Sequence, residues 1–402
     1  MDKIIILIMD GASDRIGKQK TPLQLAHKPN IDSLARNGTT GTIDIIAPGT
    51  RPGSDTAHLA LLGYDPFEVY TGRGAFEAAG AGIELKHGDV AFRCNFATVD
   101  DDLRVIDRRA GRIKESFELG NALNNLKIDD VKIIFKATVE HRGVLVLRGK
   151  GLSSSITDID PHRENAPIQL SKSLTGSEAE RRTASVLNEL VKESYRILKG
   201  HKLNLIRARK GMLPANIILP RGAGIAPKLA NFSKKYSLRA ACIAGVALVK
   251  GVCKLAGLDT IEVKGATGGV DTDIKGKLDA GAKALGSYDF ILINIKAPDI
   301  YSHDGNYKGK LKIIEKIDEA CKTITQLDCI KIVTCDHSTP ICVREHTSDA
   351  VPFAIANENV PVDDVTKFEE GACAKGAMHR IRGYDLINIA LDFAGRAKKF
   401  GA

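Results

Sequence analysis

Residues 290–303 read FILINIKAPDIYSH. A near-continuous apolar run closed by a polar, proline-containing turn is the texture of a strand covered on both faces, and such strands belong to parallel sheets flanked by helices. Similar runs occur at Ile4–Met9, 203–207, 217–219, Ala240–Ile243, Ile330–Thr334 and Val351–Ala356, with helical patterns at 229–235, 275–285, 311–325 and 384–398. The alternation predicts an α/β fold, a three-layer sandwich around a mainly parallel sheet. Between residues 74 and 170 the pattern changes to hairpin-like segments at Val90–Val99, 132–136 and 143–148, joined by charged turns. The expected organisation is therefore one domain from residues 1–73 and 171–402, interrupted by a smaller α+β domain at 74–170.

Composition supports that reading and removes several classes. The chain has 402 residues, 43% hydrophobic and 27% charged, which excludes wholesale disorder and fibrous sequence. The absence of Trp, 5% aromatics and 38 glycines favour an aliphatic, turn-rich core. A net charge of +9 is spread along the chain without a run of five Lys/Arg, so an anionic small substrate accounts for it and nucleic acid is not expected as a partner. The N-terminal apolar run is six residues long, too short for a membrane span or secretory segment, and the expectation is a cytoplasmic protein with no membrane partner. The eight cysteines form no C-x-x-C pair and read as small core residues.

In an open α/β sheet the ligand site lies beyond the carboxyl ends of the strands. Here those ends carry a coherent set: Asp10 after the first run, Asp299 and His303 after Phe290–Ile295, Asp336 and His337 after Ile330–Thr334, then His346 nine residues later. Asp299 and His303 are one helical turn apart, which puts carboxylate and imidazole on one face at chelating distance. A single Asp or His after a strand is usually a cap or turn residue. Five of them after three strands point to a divalent metal instead.

The loop RPGSDTAHLALLGYDP (51–66) brings Ser54 to the entrance of a helix. A serine there is an N-cap by default, and the same position suits a nucleophile attacking a phosphoryl group; sequence chemistry leaves both open. No Ser-His-Asp set supplies a base, so a metal would have to activate the hydroxyl.

These motifs, together with MDGASDR (9–15), TGRGAFEAAGAGI (71–83), DVAFRCNF (89–96), DRRAGR (107–112), TCDHSTP (334–340) and HTSDAVPF (346–353), give the chain a resemblance over nearly its whole length. It resembles the archaeal-type 2,3-bisphosphoglycerate-independent phosphoglycerate mutases of the alkaline phosphatase superfamily. The resemblance implies a phosphatase-like metal domain with an inserted substrate-handling domain, and interconversion of 3- and 2-phosphoglycerate in glycolysis and gluconeogenesis through a phosphoserine. It also implies two divalent ions, manganese first and cobalt, zinc or magnesium after it, and no 2,3-bisphosphoglycerate. Carried over, Asp10, Ser54, Asp336 and His337 would hold one ion, and Asp299, His303 and His346 the other. The mixed carboxylate and imidazole set suits manganese or zinc.

A phosphoglycerate needs cationic partners, and arginine forks suit phosphate and carboxylate. Candidates are Arg93, Arg108, Arg109, Arg112, His141, Arg142 and His162 in the insert, with Arg109 and Arg112 preferred over Arg108, and Lys250 (ALVKGV) facing the phosphate on the nucleophile. The glycine-rich stretches RGAGIAP (221–227) and KGATGGVD (264–271) lack the acidic residue of a dinucleotide fingerprint. The alternatives on the same scaffold are a metal-dependent phosphohydrolase and a phosphopentomutase. A sulfatase is disfavoured because Ser54-Asp55-Thr56 lacks the Ser/Cys-x-Pro-x-Arg context.

Overall fold

The strands in chain order are β1 (Ile4–Met9), β2 (Gly38–Asp44), β3 (Val90–Val99), β4 (Val105–Asp107), β5 (Lys127–Ile128), β6 (Val131–Ala137), β7 (Arg142–Arg148), β8 (Ile217–Gly224), β9 (Ala240–Ile243), β10 (Asp259–Thr260), β11 (Phe290–Ile295), β12 (Ile330–Thr334), β13 (Val351–Ala356) and β14 (Arg380–Arg382). The computed structural model describes residues 2–399 and 401. The chain forms two units, one from residues up to Tyr70 together with those from Leu229 on, the other Thr71–Lys228.

The first unit holds an eight-stranded sheet in the order β10-β9-β11-β1-β12-β13-β2-β14. Pairing is parallel from β10 through β12, antiparallel on both sides of β13, and parallel again between β2 and β14. Every residue of β1, β11 and β12 is buried, so helices cover both faces. Helices Pro29–Arg36, Ile274–Ala284 and Tyr307–Thr325 pack as one group, and Ser54–Leu61 with Ala247–Leu255 as another. β13 was expected to be parallel. It follows β12 after a loop with no crossover helix, and without one a strand can return only antiparallel. β2, GTTGTID, has no apolar period to reveal it, yet is wholly buried; a Cβ on Gly38 would lie 2.1 Å from the Ile355 carbonyl, so only glycine admits β13 that closely.

The second unit holds a six-stranded sheet in the order β4-β3-β7-β6-β5, with β8 also paired to β3 and every pairing antiparallel. The expected end of the insert at residue 170 falls short. The helix Glu178–Lys199 buries Leu187, Leu190 and Val191 in the core of this sheet, and β8 hydrogen-bonds to β3 rather than joining the parallel sheet, so the unit runs to Lys228. The predicted strand at 203–207 is part of a helix, Lys202–Arg209, capped by the His201 side chain accepting from the Leu203 N–H. A short apolar run does not by itself distinguish the two states, and Leu205 and Ile206 are exposed here. No helix among the described residues is long and apolar enough to cross a membrane. Seven cysteines are buried, Cys342 is exposed, and all are free thiols.

Candidate active site

The carboxyl ends of β11, β1 and β12 are neighbours in the sheet, so Asp299, Asp10 and Asp336 converge because their strands do. Two groups of ligand atoms gather there, Asp10 with Asp336 and His337, and Asp299 with His337 and His346, each within 4.8 Å. His303 reaches Asp299 from its own helical turn, Nε2 to Oδ2 3.4 Å. The structure thus brings all seven expected side chains to one place and puts His337 in both groups.

Ser54 is not the helix cap. Gly53 holds that position in extended conformation, and Ser54 is the first residue of Ser54–Leu61. Its hydroxyl is therefore not used by the helix; Oγ lies 3.3 Å from His337 Nε2 and 3.2 Å from Lys296 Nζ. The cap alternative left open by the sequence is removed.

Each imidazole is turned the same way. Nδ1 of His303 bonds the Arg344 carbonyl at 2.8 Å, Nδ1 of His346 the Pro52 carbonyl at 2.9 Å, and Nδ1 of His337 the Thr339 hydroxyl at 2.9 Å. With a carbonyl as partner the Nδ1 must be an N–H, so Nε2 is the nitrogen that faces the cradle. His346 stacks on His337 at 3.5 Å. Behind them His58 Nδ1 donates to the Ser54 carbonyl at 2.6 Å, and Asn294 Nδ2 lies 3.2 Å from His58 Nε2 and 3.0 Å from Asp10 Oδ2.

The electrostatics show what this cradle lacks. Lys296, which the sequence reading passed over although it stands between β11 and Asp299, puts Nζ 2.7 Å from Asp10 Oδ1 and 2.8 Å from Asp299 Oδ2. Burial would raise Asp299, but Lys296 first, then His303 and His346, hold it well below the carboxylate range. Burial and the Asp10 charge push Asp336 well up instead, and its Oδ2 is fully buried with no hydrogen-bond donor among the described residues. Burial, then the neighbouring His346, drives His337 well down, so it is a neutral imidazole. His303 is pushed up to about 9, chiefly by its bond to Asp299. Three buried carboxyl groups around one ammonium, an orphaned carboxylate oxygen and imidazole Nε2 atoms turned inward fit a divalent cation pair.

The second unit carries a separate cationic cluster. Arg142, Arg93 and Arg221 come from adjacent strands, Arg93 pairing with Arg221 across β3 and β8, and Arg142 opposite Asn95 on β7. Burial, and then the charges of Arg142, Arg109, Arg93 and Arg112, push His141 down to about 3. His141 Nδ1 is buried with no hydrogen-bond partner among the described residues, and Glu140 Oε2 lies 3.8 Å from it. Burial and Arg73 push Arg93 to about 9. Ala110, Gly111 and Arg112 take consecutive positive φ values of 47°, 63° and 55°, a strain that marks DRRAGR as a shaped loop.

Three expected members lie differently. Arg108 is tied to buried Asp160 by two bonds of 3.0 and 2.6 Å, and lines the same cleft as Arg109 and Arg112. His162 is exposed and pairs with Asp158 at 3.2 Å, beside a 460 Å³ cleft that Arg109 and Arg112 also line. Lys250 pairs with Glu262 at 2.6 Å, and the lysine that reaches Ser54 is Lys296. Sequence reasoning missed Arg73 and Arg221, although both stood in quoted motifs, TGRGAF and RGAGIAP. RGAG itself lies in β8.

Residues 35–204 match the family model described as 2,3-bisphosphoglycerate-independent phosphoglycerate mutase. The chain is 51% identical to 2,3-bisphosphoglycerate-independent phosphoglycerate mutase 1 of Methanocaldococcus jannaschii, covering 100% of this chain and 99% of that protein. It is 49% identical to the protein of the same name from Methanothermobacter thermautotrophicus, with 100% of both covered. Among solved structures, a Pyrococcus horikoshii protein superposes with a TM-score of 0.87 at 34% identity over 100% of this chain and 99% of that one. The cofactor-independent phosphoglycerate mutase from Thermoplasma acidophilum does so with 0.72 at 36% identity, over 98% and 100%.

Proposed function

The chain belongs to the 2,3-bisphosphoglycerate-independent phosphoglycerate mutases, and from that premise we propose how its own residues carry the reaction. It is an isomerase that interconverts 3- and 2-phosphoglycerate. Divalent ions are its cofactors; manganese is the ion we assign to the mixed carboxylate and imidazole set. Asp10, Asp336 and His337 with Ser54 would hold one ion, and Asp299, His303 and His346 the other. Bound there, such ions supply the positive charge that ionises a serine hydroxyl at neutral pH and screens phosphoryl oxygens.

Ser54 is the phosphoryl carrier, and the observation that carries this reading is its hydroxyl, unused by the helix it starts and turned to Lys296 Nζ at 3.2 Å. The ester O–P bond of phosphoglycerate breaks as the Oγ–P bond forms, and the released glycerate hydroxyl takes up the proton Ser54 gives up. The other hydroxyl then takes the phosphoryl group back and returns a proton to Ser54. The N–H groups of the first helical turn favour the anion throughout. Arg93, Arg109, Arg112, Arg142 and neutral His141 of the second unit are assigned to the substrate's carboxylate and phosphate, holding glycerate between the two transfers.

Acid-quenched enzyme incubated with phosphoglycerate should carry about +80 Da, one phosphoryl group, on the peptide containing Ser54. Ser54→Ala and Ser54→Asn should be equally inactive, although asparagine is a good cap. An active Ser54→Ala variant, modification elsewhere, or release of inorganic phosphate in place of the isomer would overturn the reading.

A further inference from the structure

We propose that Thr339 is a positioning residue that ties the two ligand groups together, its hydroxyl fixing which nitrogen His337 presents while holding Asp299 in line. The inference rests on the two-ion reading above. Thr339 is fully buried and every polar atom it has is engaged. Its N–H donates to the Ser13 carbonyl at 3.1 Å, and its carbonyl accepts from Lys310 Nζ at 3.0 Å. Its Oγ1 lies 2.9 Å from His337 Nδ1 and 2.9 Å from Asp299 Oδ1.

A hydroxyl has one proton to give. Asp299, engaged by the Lys296 ammonium at 2.8 Å, is an acceptor, so the Thr339 O–H points to Asp299. The same oxygen can then only accept from His337, which places the proton on Nδ1 and the lone pair on Nε2, the atom that faces Asp10, Asp336 and Ser54. One hydroxyl thereby sets the imidazole of the first ligand group and a carboxylate of the second.

Lys310 makes the arrangement rigid. Its ammonium is fully buried and clamps the carbonyls of Ser13 and Thr339 and the Asp14 carboxylate, at 3.2, 3.0 and 3.1 Å. His303 and His346 differ from His337 here, since the main-chain carbonyls of Arg344 and Pro52 orient them and no side-chain substitution at the accepting residue removes those. His337 is oriented by a side chain, so one substitution can release it.

The test is cobalt titration of metal-stripped, full-length protein, followed by calorimetry and by the visible spectrum of the bound ion. Thr339→Val keeps the shape and removes the hydroxyl; it should weaken both binding steps by about 10- to 100-fold and shift the spectrum, the range for loss of an outer partner of a metal ligand. Thr339→Ser should restore both. Should the valine variant not fold by circular dichroism, Thr339→Ala carries the same comparison with serine. Two ions bound as tightly in Thr339→Val as in the wild type, weakening of one step alone, or a serine variant as impaired as valine would each overturn the proposal. Wild-type protein that takes up fewer than two ions would overturn the site reading beneath it.

Discussion

The chain concentrates charge of opposite sign in two places. In the sheet-bearing unit, three carboxylates meet at neighbouring strand ends, nearly devoid of solvent, with one ammonium among them and three imidazoles turned by acceptors behind them. In the hairpin-bearing unit, the charges of arginines from two strands and one strained loop keep a buried histidine neutral. The first cluster wants cations and is held by main-chain carbonyls and by the side chains of Thr339, Asn294 and Lys296. The second wants an anion and is held by the strands that carry it. The first is costly to assemble alone, because burying like charges with too little counter-charge is unfavourable. The second is offset in part by Glu77 beside Arg93, Asp160 beside Arg221 and Glu140 beside His141. The ligands assigned to them are a metal pair in one and a phosphorylated acid in the other.

The largest effect should come from breaking the cradle. Asp299→Ala and His303→Ala each remove an inner ligand, and turnover should fall by more than the roughly 100-fold that outer partners cost, with loss of bound metal and little loss of fold. Metal analysis showing two ions and normal turnover in either variant would return these residues to caps and turns. The cluster should break differently. Arg109→Ala or Arg112→Ala should cost phosphoglycerate turnover on the order of 2–4 kcal/mol while leaving metal content and any hydrolysis of an aryl phosphate intact. Arg108→Ala should instead lower the denaturation midpoint, by about 1–3 kcal/mol, since it strips a bidentate donor from buried Asp160. Equal losses on both substrates in the first pair would place those arginines with Arg108 in support of the fold.

The difference between the clusters also governed what could be read from the sequence. Asp10, Asp299 and Asp336 each follow an apolar run, and a parallel sheet must bring such ends together, so linear order was enough. The cationic cluster is built across antiparallel strands, where neighbours depend on register. Arg221 lies beside Arg93 because β8 pairs with β3, and the sequence reading had put β8 in the other sheet. Lys296 was hidden for another reason. A lone lysine after a strand ordinarily reaches solvent, and only the convergence of Asp10 and Asp299 gives it a buried partner. Within the fold, β2 escaped because its burial is achieved with glycine and threonine, and the strand at 203–207 was misread because five apolar-rich residues have no period of their own.

The pH response should separate the clusters further. His141 falls from 6.5 to about 3 through burial and four arginines, so the folded chain keeps it neutral where the unfolded chain would protonate it. Stability linked to this group is therefore present above pH 6.5 and is lost as the pH falls from there toward 3. Phosphoglycerate, bringing negative charge among the arginines, should raise the value, and NMR titration of the imidazole protons reads both states. A His141 that titrates near 6.5 without ligand would mean that the arginines do not crowd it.

The smallest effect sharpens the comparison at a lysine. Lys250 and Lys296 lie in the same unit, and the sequence favoured Lys250 as the partner of the phosphate on the nucleophile. The geometry divides them: Lys296 contacts Asp10, Asp299 and Ser54, whereas Lys250 is bound to Glu262, whose side chain is 74% exposed. Such a pair contributes about 0–1 kcal/mol, because water and salt screen it and two long side chains must be ordered to form it. Lys250→Ala should therefore leave kcat and metal content near wild type and shift stability by less than about 1 kcal/mol, an effect that fades with added salt. Lys296→Met removes the one ammonium among three carboxylates and should cut turnover steeply. If Lys250→Ala instead impairs turnover as Lys296→Met does, the lysine exchanges Glu262 for the phosphorylated serine during the reaction, and the earlier sequence assignment stands.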